Sequence, residues 1–178
     1  MHMHFAGWAV RAIAVCAVAC SIASPTFATQ RTGTGSVTIL RRLSISKTAD
    51  LSFGRLHNQG PKGPTGTVTI SAAPPTSRTG VNVQLTPNGG ETPAIYSLSG
   101  EPNRAYRVSV PSSYPSTPGG LTVKSFTFWS TNSMTATGGG HFSASGTDTV
   151  RIGATMTVPA GTKQDTFVAK VPVTVTYD

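Results

Sequence analysis

Apolar and polar side chains alternate along this chain with a period of two, and that alternation limits it to β-structure. Near the C-terminus one parity is apolar and the other carries proline, threonine or aspartate. The apolar members of this terminal strand are Val171, Val173, Val175 and Tyr177. A matching stripe, interrupted only by Arg41, lies nearer the N-terminus and consists of Val37, Ile39, Leu43 and Ile45. Both stripes are therefore predicted to be strands.

Shorter stripes of the same kind fill the sequence between them. After residue 28 no stretch places apolar residues at helical spacing over three turns, and Gly, Pro, Ser and Thr recur every eight to twelve residues. This pattern is typical of all-β domains. The internal stripes are Val68, Ile70 and Ala72; Val81, Val83 and Leu85; Tyr96 and Leu98; Tyr106, Val108 and Val110; and Val150, Ile152, Ala154, Met156 and Val158. Together they predict an all-β, antiparallel β-sandwich.

The apolar parity changes within one further stripe. Leu121 and Val123 occupy odd positions, whereas Phe126 and Phe128 occupy even ones. The change predicts a β-bulge or a strand that passes between two sheets. The three glycines at residues 138–140 are predicted to form a flexible connection.

The first 28 residues have the pattern of a secretory signal peptide. Arg11 precedes an apolar run over residues 12–23, and a small-residue cleavage site ends at Ala28. The run is shorter than the roughly 20 residues of a membrane-spanning helix, so no transmembrane segment is predicted. We expect export to the periplasm, cell surface or medium. The predicted organisation is a signal peptide over residues 1–28, an N-terminal strand segment over 29–46 and a sandwich domain over 47–178.

Both cysteines, Cys16 and Cys20, fall inside the predicted signal peptide. The processed chain would then have no disulfide, and its stability must come from packing. A second interpretation of Cys20 stays open, because residues 17–20 are similar to a lipoprotein cleavage box whose cysteine becomes acylated. Ala17 stands where such boxes usually have Leu, and the apolar run continues past Cys20, which favours the later cleavage site.

The charge of the chain is positive but dispersed. Removal of Arg11 lowers the formal net charge from +8 to +7. Arg41 and Arg42 are the only adjacent basic pair, and no basic stripe marks a nucleic-acid face. We predict that the protein does not bind nucleic acid.

Residues suited to catalysis or metal binding are few. After residue 28 the chain has two histidines, His57 and His141, both predicted on surface loops, and six acidic residues. Neither histidine has a second one at metal-ligand spacing, and no nucleophile elbow, phosphate-binding loop or dinucleotide fingerprint is present. We predict no catalytic, cofactor-binding or metal-binding residues and no enzymatic activity. Residues 101–104, Glu-Pro-Asn-Arg, are predicted to form a turn.

Three segments resemble a family of bacterial secreted domains of unknown function. They are residues 44–56 (SISKTADLSFGRL), 100–110 (GEPNRAYRVSV) and 168–177 (VAKVPVTVTY). That family in turn is similar to spore coat protein U and the archaic chaperone-usher pilins. The resemblance implies an immunoglobulin-like sandwich that lacks one strand. The N-terminal extension of the next subunit fills the gap, after a periplasmic chaperone has held it open for an outer-membrane usher.

The resemblance assigns roles to three sets of residues. The stripe Val37, Ile39, Leu43 and Ile45 resembles the donor strand, and Leu51, Phe53 and Gly54 resemble an L-x-F-G segment. Val173, Val175 and Tyr177 resemble the terminal strand with its near-terminal aromatic residue. The chain departs from the pilins in lacking their cysteine pair, in Asp178 after the aromatic residue and in Arg41 among the donor side chains. Whether the strand is donated or folded back is open.

Burial of the four donor-like side chains is worth roughly 6 to 12 kcal/mol. This is comparable to the net stability of about 5 to 15 kcal/mol of a whole domain, so the strand must be covered by its own domain, a neighbour or a chaperone. The leading hypothesis is a pilin-like or coat-like structural subunit that associates with itself or with related subunits by strand addition. The alternatives are a self-complete monomeric binding domain and a hydrolase with an unrecognised site.

Overall fold

The computed structural model describes residues 30–58, 60, 62–133 and 138–178. The predicted signal peptide, with Cys16 and Cys20, lies outside the described residues. One compact unit comprises Thr38–Asp178. The described residues of the preceding unit, 30–37, are all exposed.

The described residues form strands and no helix, which confirms the predicted all-β class. Within them there is no helix with the length and apolar character needed to cross a membrane. In chain order the strands are β1 (Ser44–Ala49), β2 (Leu56–Asn58), β3 (Gly66–Ile70), β4 (Arg78–Val81), β5 (Val83–Leu85), β6 (Ala94–Ser99), β7 (Ala105–Ser109), β8 (Ser113–Pro115), β9 (Thr122–Ser130), β10 (Gly139–His141), β11 (Thr147–Val158) and β12 (Thr174–Tyr177).

The largest sheet is organised around β11, a strand of 12 residues. One side of β11 pairs with β6 and then with β3, and its other side pairs with β9. Strands β1, β4 and β8 extend the sheet outward from β6, β3 and β9. A second sheet has the order β10-β7-β12, and β2 pairs with β5. Every strand pair is antiparallel, as the sequence predicts.

The core lies where the sheets face each other. In the first cluster, Leu98 and Val150 of the large sheet meet Tyr106 and Val108 of the three-stranded sheet, together with Phe142. A second cluster is built by β9 and the C-terminal half of β11 and is flanked by partly buried residues that include Phe53 and Phe167. The apolar stripes predicted from the sequence therefore supply both sides of a sandwich core.

The parity change in β9 is a bulge. Thr155 of β11 is opposite Lys124, and Gly153 is opposite Thr127, so β9 contains one more residue than its partner over this interval. Ser125, inside the bulge, has a φ of 51°. Because of the bulge, Val123 packs in the second cluster and Phe126, three positions later, also packs inward against both clusters.

Other local expectations are corrected by the structure. The stripe over residues 81–85 is divided at Asn82, whose φ is 55°, into β4 and β5 of different sheets. The glycines at 138–140 do not form a flexible connection, because Gly139–His141 is strand β10 paired with β7. A Cβ on Gly140 would overlap the Tyr106 hydroxyl, so the glycine allows the backbone to approach that ring. His57 lies in β2 and His141 in β10, and neither is on a loop.

Candidate functional site at the chain termini

The segment before β1 carries apolar side chains in water. Residues 30–42 are exposed and belong to no strand. Val37 is 87% exposed and Ile39 is 89% exposed. They have the same parity, so in an extended conformation both side chains would face one side. This pair is the most exposed apolar feature among the described residues.

The rest of the predicted donor stripe is attached to its own domain. Strand β1 pairs with β6, and Ile45 lies opposite Leu98. Leu43 packs against the first core cluster. The structure therefore divides the four predicted donor residues into an exposed pair, Val37 and Ile39, and a self-covered pair, Leu43 and Ile45. Sequence periodicity could not show this division, because all four share one parity.

Tyr177 fixes the point at which the exposed segment joins the domain. Its ring packs edge-on against Phe142, with the ring centroids 6.0 Å apart. Its hydroxyl donates to the carbonyl oxygen of Arg41 at 2.7 Å and accepts from the backbone N–H of Glu101 at 2.8 Å. The backbone N–H of Arg41 donates to Glu101 Oε2 at 2.8 Å. The near-terminal aromatic residue is thus an anchor for residue 41, and the predicted turn at residues 101–104 supplies its partner.

The strand that carries Tyr177 has an open edge. Among the described residues β12 pairs with β7 alone, at the margin of the three-stranded sheet. Val175 and, just before the strand, Val173 are half-buried against the first core cluster. Arg107 Nε lies 3.2 Å from Asp178 Oδ1 in an exposed ion pair. An unpaired edge beside partly covered apolar residues is the kind of surface on which another strand can add.

An ion pair between residues three positions apart lies at the end of strand β1. Lys47 Nζ donates to Asp50 Oδ1 at 2.5 Å. This hydrogen bond, with the attraction of the carboxylate, raises the pKa of Lys47. Both side chains are exposed, so the pair is expected to contribute little to stability.

The L-x-F-G segment, Leu51, Phe53 and Gly54, contributes to packing and to a bend of the backbone. Leu51 packs against both core clusters, Phe53 packs against the second, and Gly54 has a φ of +70°. The side chain of Arg78, only 6% exposed, donates to the carbonyl oxygens of Phe53, Arg55 and Thr86. Its Nη1 lies 3.6 Å from Glu91 Oε2. Sequence reasoning missed Arg78, because its hydrogen bonds go to backbone oxygens and its ion pair joins residues 13 positions apart, which no spacing reveals.

The histidines are exposed and lie in separate sheets. His141 Nδ1 is 2.9 Å from Ser133 Oγ. The one buried carboxylate among the described residues is Asp148, which the sequence analysis did not distinguish from the other acids. Within the described part of the chain, no three His, Cys, Asp or Glu residues are grouped so that they could hold a metal ion.

Comparison with known proteins identifies a family. Residues 43–177 match the model of a family described as "Domain of unknown function (DUF4402)". No curated protein and no solved structure matches the chain. The matched region begins at Leu43, so the exposed residues 30–42 lie outside it.

Proposed function

The chain belongs to the DUF4402 family, whose function is unknown, and we propose that this member is a secreted, non-enzymatic structural subunit that assembles by β-strand addition. The observation that carries the proposal is the coexistence of an exposed apolar segment, marked by Val37 and Ile39, with the open edge of β12. The segment from one copy would add to the β12 edge of another. The resemblance of the family to spore coat protein U and the archaic pilins, inferred from the sequence, is in keeping with this assignment.

Length and energy are adequate for this addition. The eleven residues 30–40, if extended, reach roughly 36 Å, and β12 needs only four residues of partner strand. Burying Val37 and Ile39 would be worth roughly 3 to 6 kcal/mol. Backbone hydrogen bonds to the edge would add to this gain. The donor is thus shorter than the sequence predicts, because Ser44–Ala49 already pairs within its own sheet.

Export and assembly factors complete the proposal. The predicted signal peptide would direct the chain out of the cytoplasm, and the processed subunit would reach the periplasm and then the cell surface. A periplasmic chaperone would cover the β12 edge until an outer-membrane usher joins the subunits. Such cover is needed because an unpaired edge beside apolar side chains promotes aggregation.

The test is the oligomeric state of the protein expressed from residue 29. We expect oligomers in native mass measurement, and their loss in the double variant Val37→Asp/Ile39→Asp. The matched control is Ser36→Asp/Thr38→Asp, which adds the same charge to the opposite parity of the same segment and should leave the oligomers intact. A monomeric parent protein, or equal loss in both variants, would contradict strand addition by this stripe.

A second function is favoured by one specific observation. Because β1 pairs with β6 of the same chain, the domain covers half of its own predicted donor stripe. This arrangement suits a self-complete, monomeric secreted binding domain. Native mass separates the two proposals, since the second expects a monomer with or without residues 30–40.

A further inference from the structure

The outer face of the large sheet carries hydroxyl groups in register. Leu98 and Val150 point to the core, so the alternate residues of β6 and β11 face outward. Across the three strands β1, β6 and β11, directly opposite residues form two rows, each made only of hydroxyl side chains. The first row is Ser44, Ser99 and Thr147, and the second is Ser46, Ser97 and Thr149.

These rows line a depression of about 420 Å³, which we call the hydroxyl groove. Thr131 and Asn132, immediately after β9, form its other wall. Asn132 Nδ2 donates to the carbonyl oxygens of Thr147 at 2.7 Å and His141 at 3.2 Å. Thr131 Oγ1 donates to the carbonyl oxygen of Thr149 at 3.1 Å. The wall is therefore fixed to the sheet before any ligand binds.

The lining of the groove carries no positive charge, although the chain is basic. No Lys or Arg lines it, and its one ionisable lining residue is Asp148, 5% exposed. The Asp148 carboxylate accepts from the Tyr106 hydroxyl at 2.6 Å, Ser130 Oγ at 2.6 Å and the backbone N–H groups of Thr149 and Asn132 at 2.6 and 3.2 Å. Both carboxylate oxygens already accept hydrogen bonds from the protein. Asp148 therefore holds the residues that line the groove in place and does not bind a ligand.

The surface hydroxyls of the groove differ from the Asp148 carboxylate in their hydrogen bonding. Within the described part of the chain, the structure gives no hydrogen bond to the hydroxyls of Ser44, Ser46, Ser99 or Thr149. Each hydroxyl can donate once and accept twice. The next row on the same face contains Ile95, Arg151 and Trp129 in register, which places an indole beside the hydroxyl rows.

We propose that the hydroxyl groove binds a neutral carbohydrate chain. Sugar hydroxyls, like those of Ser and Thr, are donors and acceptors together, so the two sets can pair without a buried charge. An anionic ligand would require Arg or Lys in the lining, and an apolar ligand would leave the hydroxyls unpaired. Binding exchanges hydrogen bonds to water for hydrogen bonds to the sugar, so the affinity for one site is modest. This activity does not depend on strand addition.

The test is an array of immobilised neutral and acidic oligosaccharides, probed with labelled protein expressed from residue 29. We expect binding to at least one neutral class and at least a five-fold loss in apparent affinity for Ser97→Ala/Thr149→Val. The matched control is Thr67→Val/Thr157→Val, a directly paired row on the other half of β11 and on the same face. It should bind like the parent protein.

A further variant, at an exposed position, tests the groove without a change that would disturb folding. Ser46→Gln fills the groove from the exposed edge strand β1 without changing a core residue, and it should also weaken binding at least five-fold. The Val37→Asp/Ile39→Asp variant should keep its affinity for sugar in the monomeric state, which separates this inference from the proposed assembly. No binding to any neutral sugar, binding confined to acidic sugars, or equal losses in the groove and control variants would overturn the proposal.

Discussion

At the scale of single residues, Gly54 shows how a short motif becomes a structural requirement. Its positive φ directs the chain around the Arg78 side chain, which in turn binds the carbonyl oxygens on both sides of the glycine. A Cβ at this position would lie 2.5 Å from Arg78 Nη1 and 3.2 Å from the carbonyl oxygen of Gly89. Both the backbone conformation and the space therefore select glycine.

We predict that Gly54→Ala lowers the free energy of unfolding by about 1 to 3 kcal/mol, because alanine is strained at positive φ and must displace Arg78. Urea denaturation measures the change. Gly35→Ala is the control, since no atom lies within 4 Å of a Cβ built there. Equal stability of the two variants would show that the Arg78 contacts do not constrain residue 54.

Tyr106, in the buried polar network around Asp148, makes the stability of the domain depend on pH. Burial, followed by its hydrogen bond to Asp148, raises the pKa of Tyr106 above its ordinary value of 10.0. Below pH 10 the phenol is protonated in both the folded and unfolded states, and its full contribution to stability is present. Above that pH the unfolded chain loses the proton first, so stability falls as pH rises further.

We predict that the free energy of unfolding decreases above about pH 10, with Tyr106 contributing at most about 1.4 kcal/mol per pH unit. Urea denaturation between pH 8 and 11 measures the slope. Tyr106→Phe should reduce the slope, and part should persist because burial also raises the pKa of Tyr96. The half-buried Tyr114 provides the control Tyr114→Phe. An unchanged slope in Tyr106→Phe would exclude this residue as the origin.

At the scale of elements, the bulge in β9 determines which side chains reach the core. On either side of Ser125, Val123 and Phe126 are separated by an odd number of positions and yet pack inward. If the strand ran regularly through Ser125 without a bulge, the part beyond it would turn over, because side chains in a strand alternate with a period of two. Phe126 and Phe128 would then face solvent.

We predict that deletion of Ser125 keeps cooperative unfolding and changes the stability by less than about 2 kcal/mol, because Val123, Phe126 and Phe128 then alternate regularly and keep their side of β11. Deletion of Thr127 should instead cost more than about 3 kcal/mol, since one phenylalanine must turn toward solvent. Ser125→Gly is the control, because it keeps the bulge and suits its φ of 51°. Thermal unfolding followed by circular dichroism distinguishes them. Loss of cooperative unfolding on deletion of Ser125 would mean that the bulge itself is required, and not only the parity of the side chains around it.

At the scale of the molecule, the N-terminal stripe has two parts with different thermodynamic roles. Residues 30–40 are exposed, whereas Leu43 and β1 contribute to the packing and pairing of the compact unit. Stability and assembly should therefore respond to different truncations.

We predict that a monomeric protein that begins at residue 41 unfolds within about 0.5 kcal/mol of one that begins at residue 29, because residues 30–40 bury little surface. A protein that begins at residue 47 should lose at least about 2 kcal/mol, since Leu43 and half of β1 are removed. The form that begins at residue 29 carries Val37→Asp/Ile39→Asp, and the truncated forms lack residues 37 and 39. Denaturation of the three forms therefore compares proteins that do not associate through this stripe. A large loss on the first truncation would place residues 30–40 in the folded core.

The sequence by itself determined the all-β class and the position of the longest regular strands. Alternation is a local property of a strand, so the stripes at Val68 and Ile70 and at residues 150–158 predicted β3 and β11. The parity change predicted a bulge or a strand that passes between sheets, and β9 has the bulge. Turn residues are also local, and Asn103, with a φ of 57°, lies in the predicted turn. These features need no knowledge of the partner strand.

Only the tertiary structure decided which strands pair and what lies at each surface. Gly139 and Gly140 form a strand because β7 pairs with them, and Ile45 is separated from Ile39 because β6 binds one and not the other. Asp148, Arg78 and the rows of the hydroxyl groove depend on contacts between residues far apart in sequence. Periodicity reports the face on which a side chain lies, but the identity of its neighbour is set by strand pairing across the whole chain.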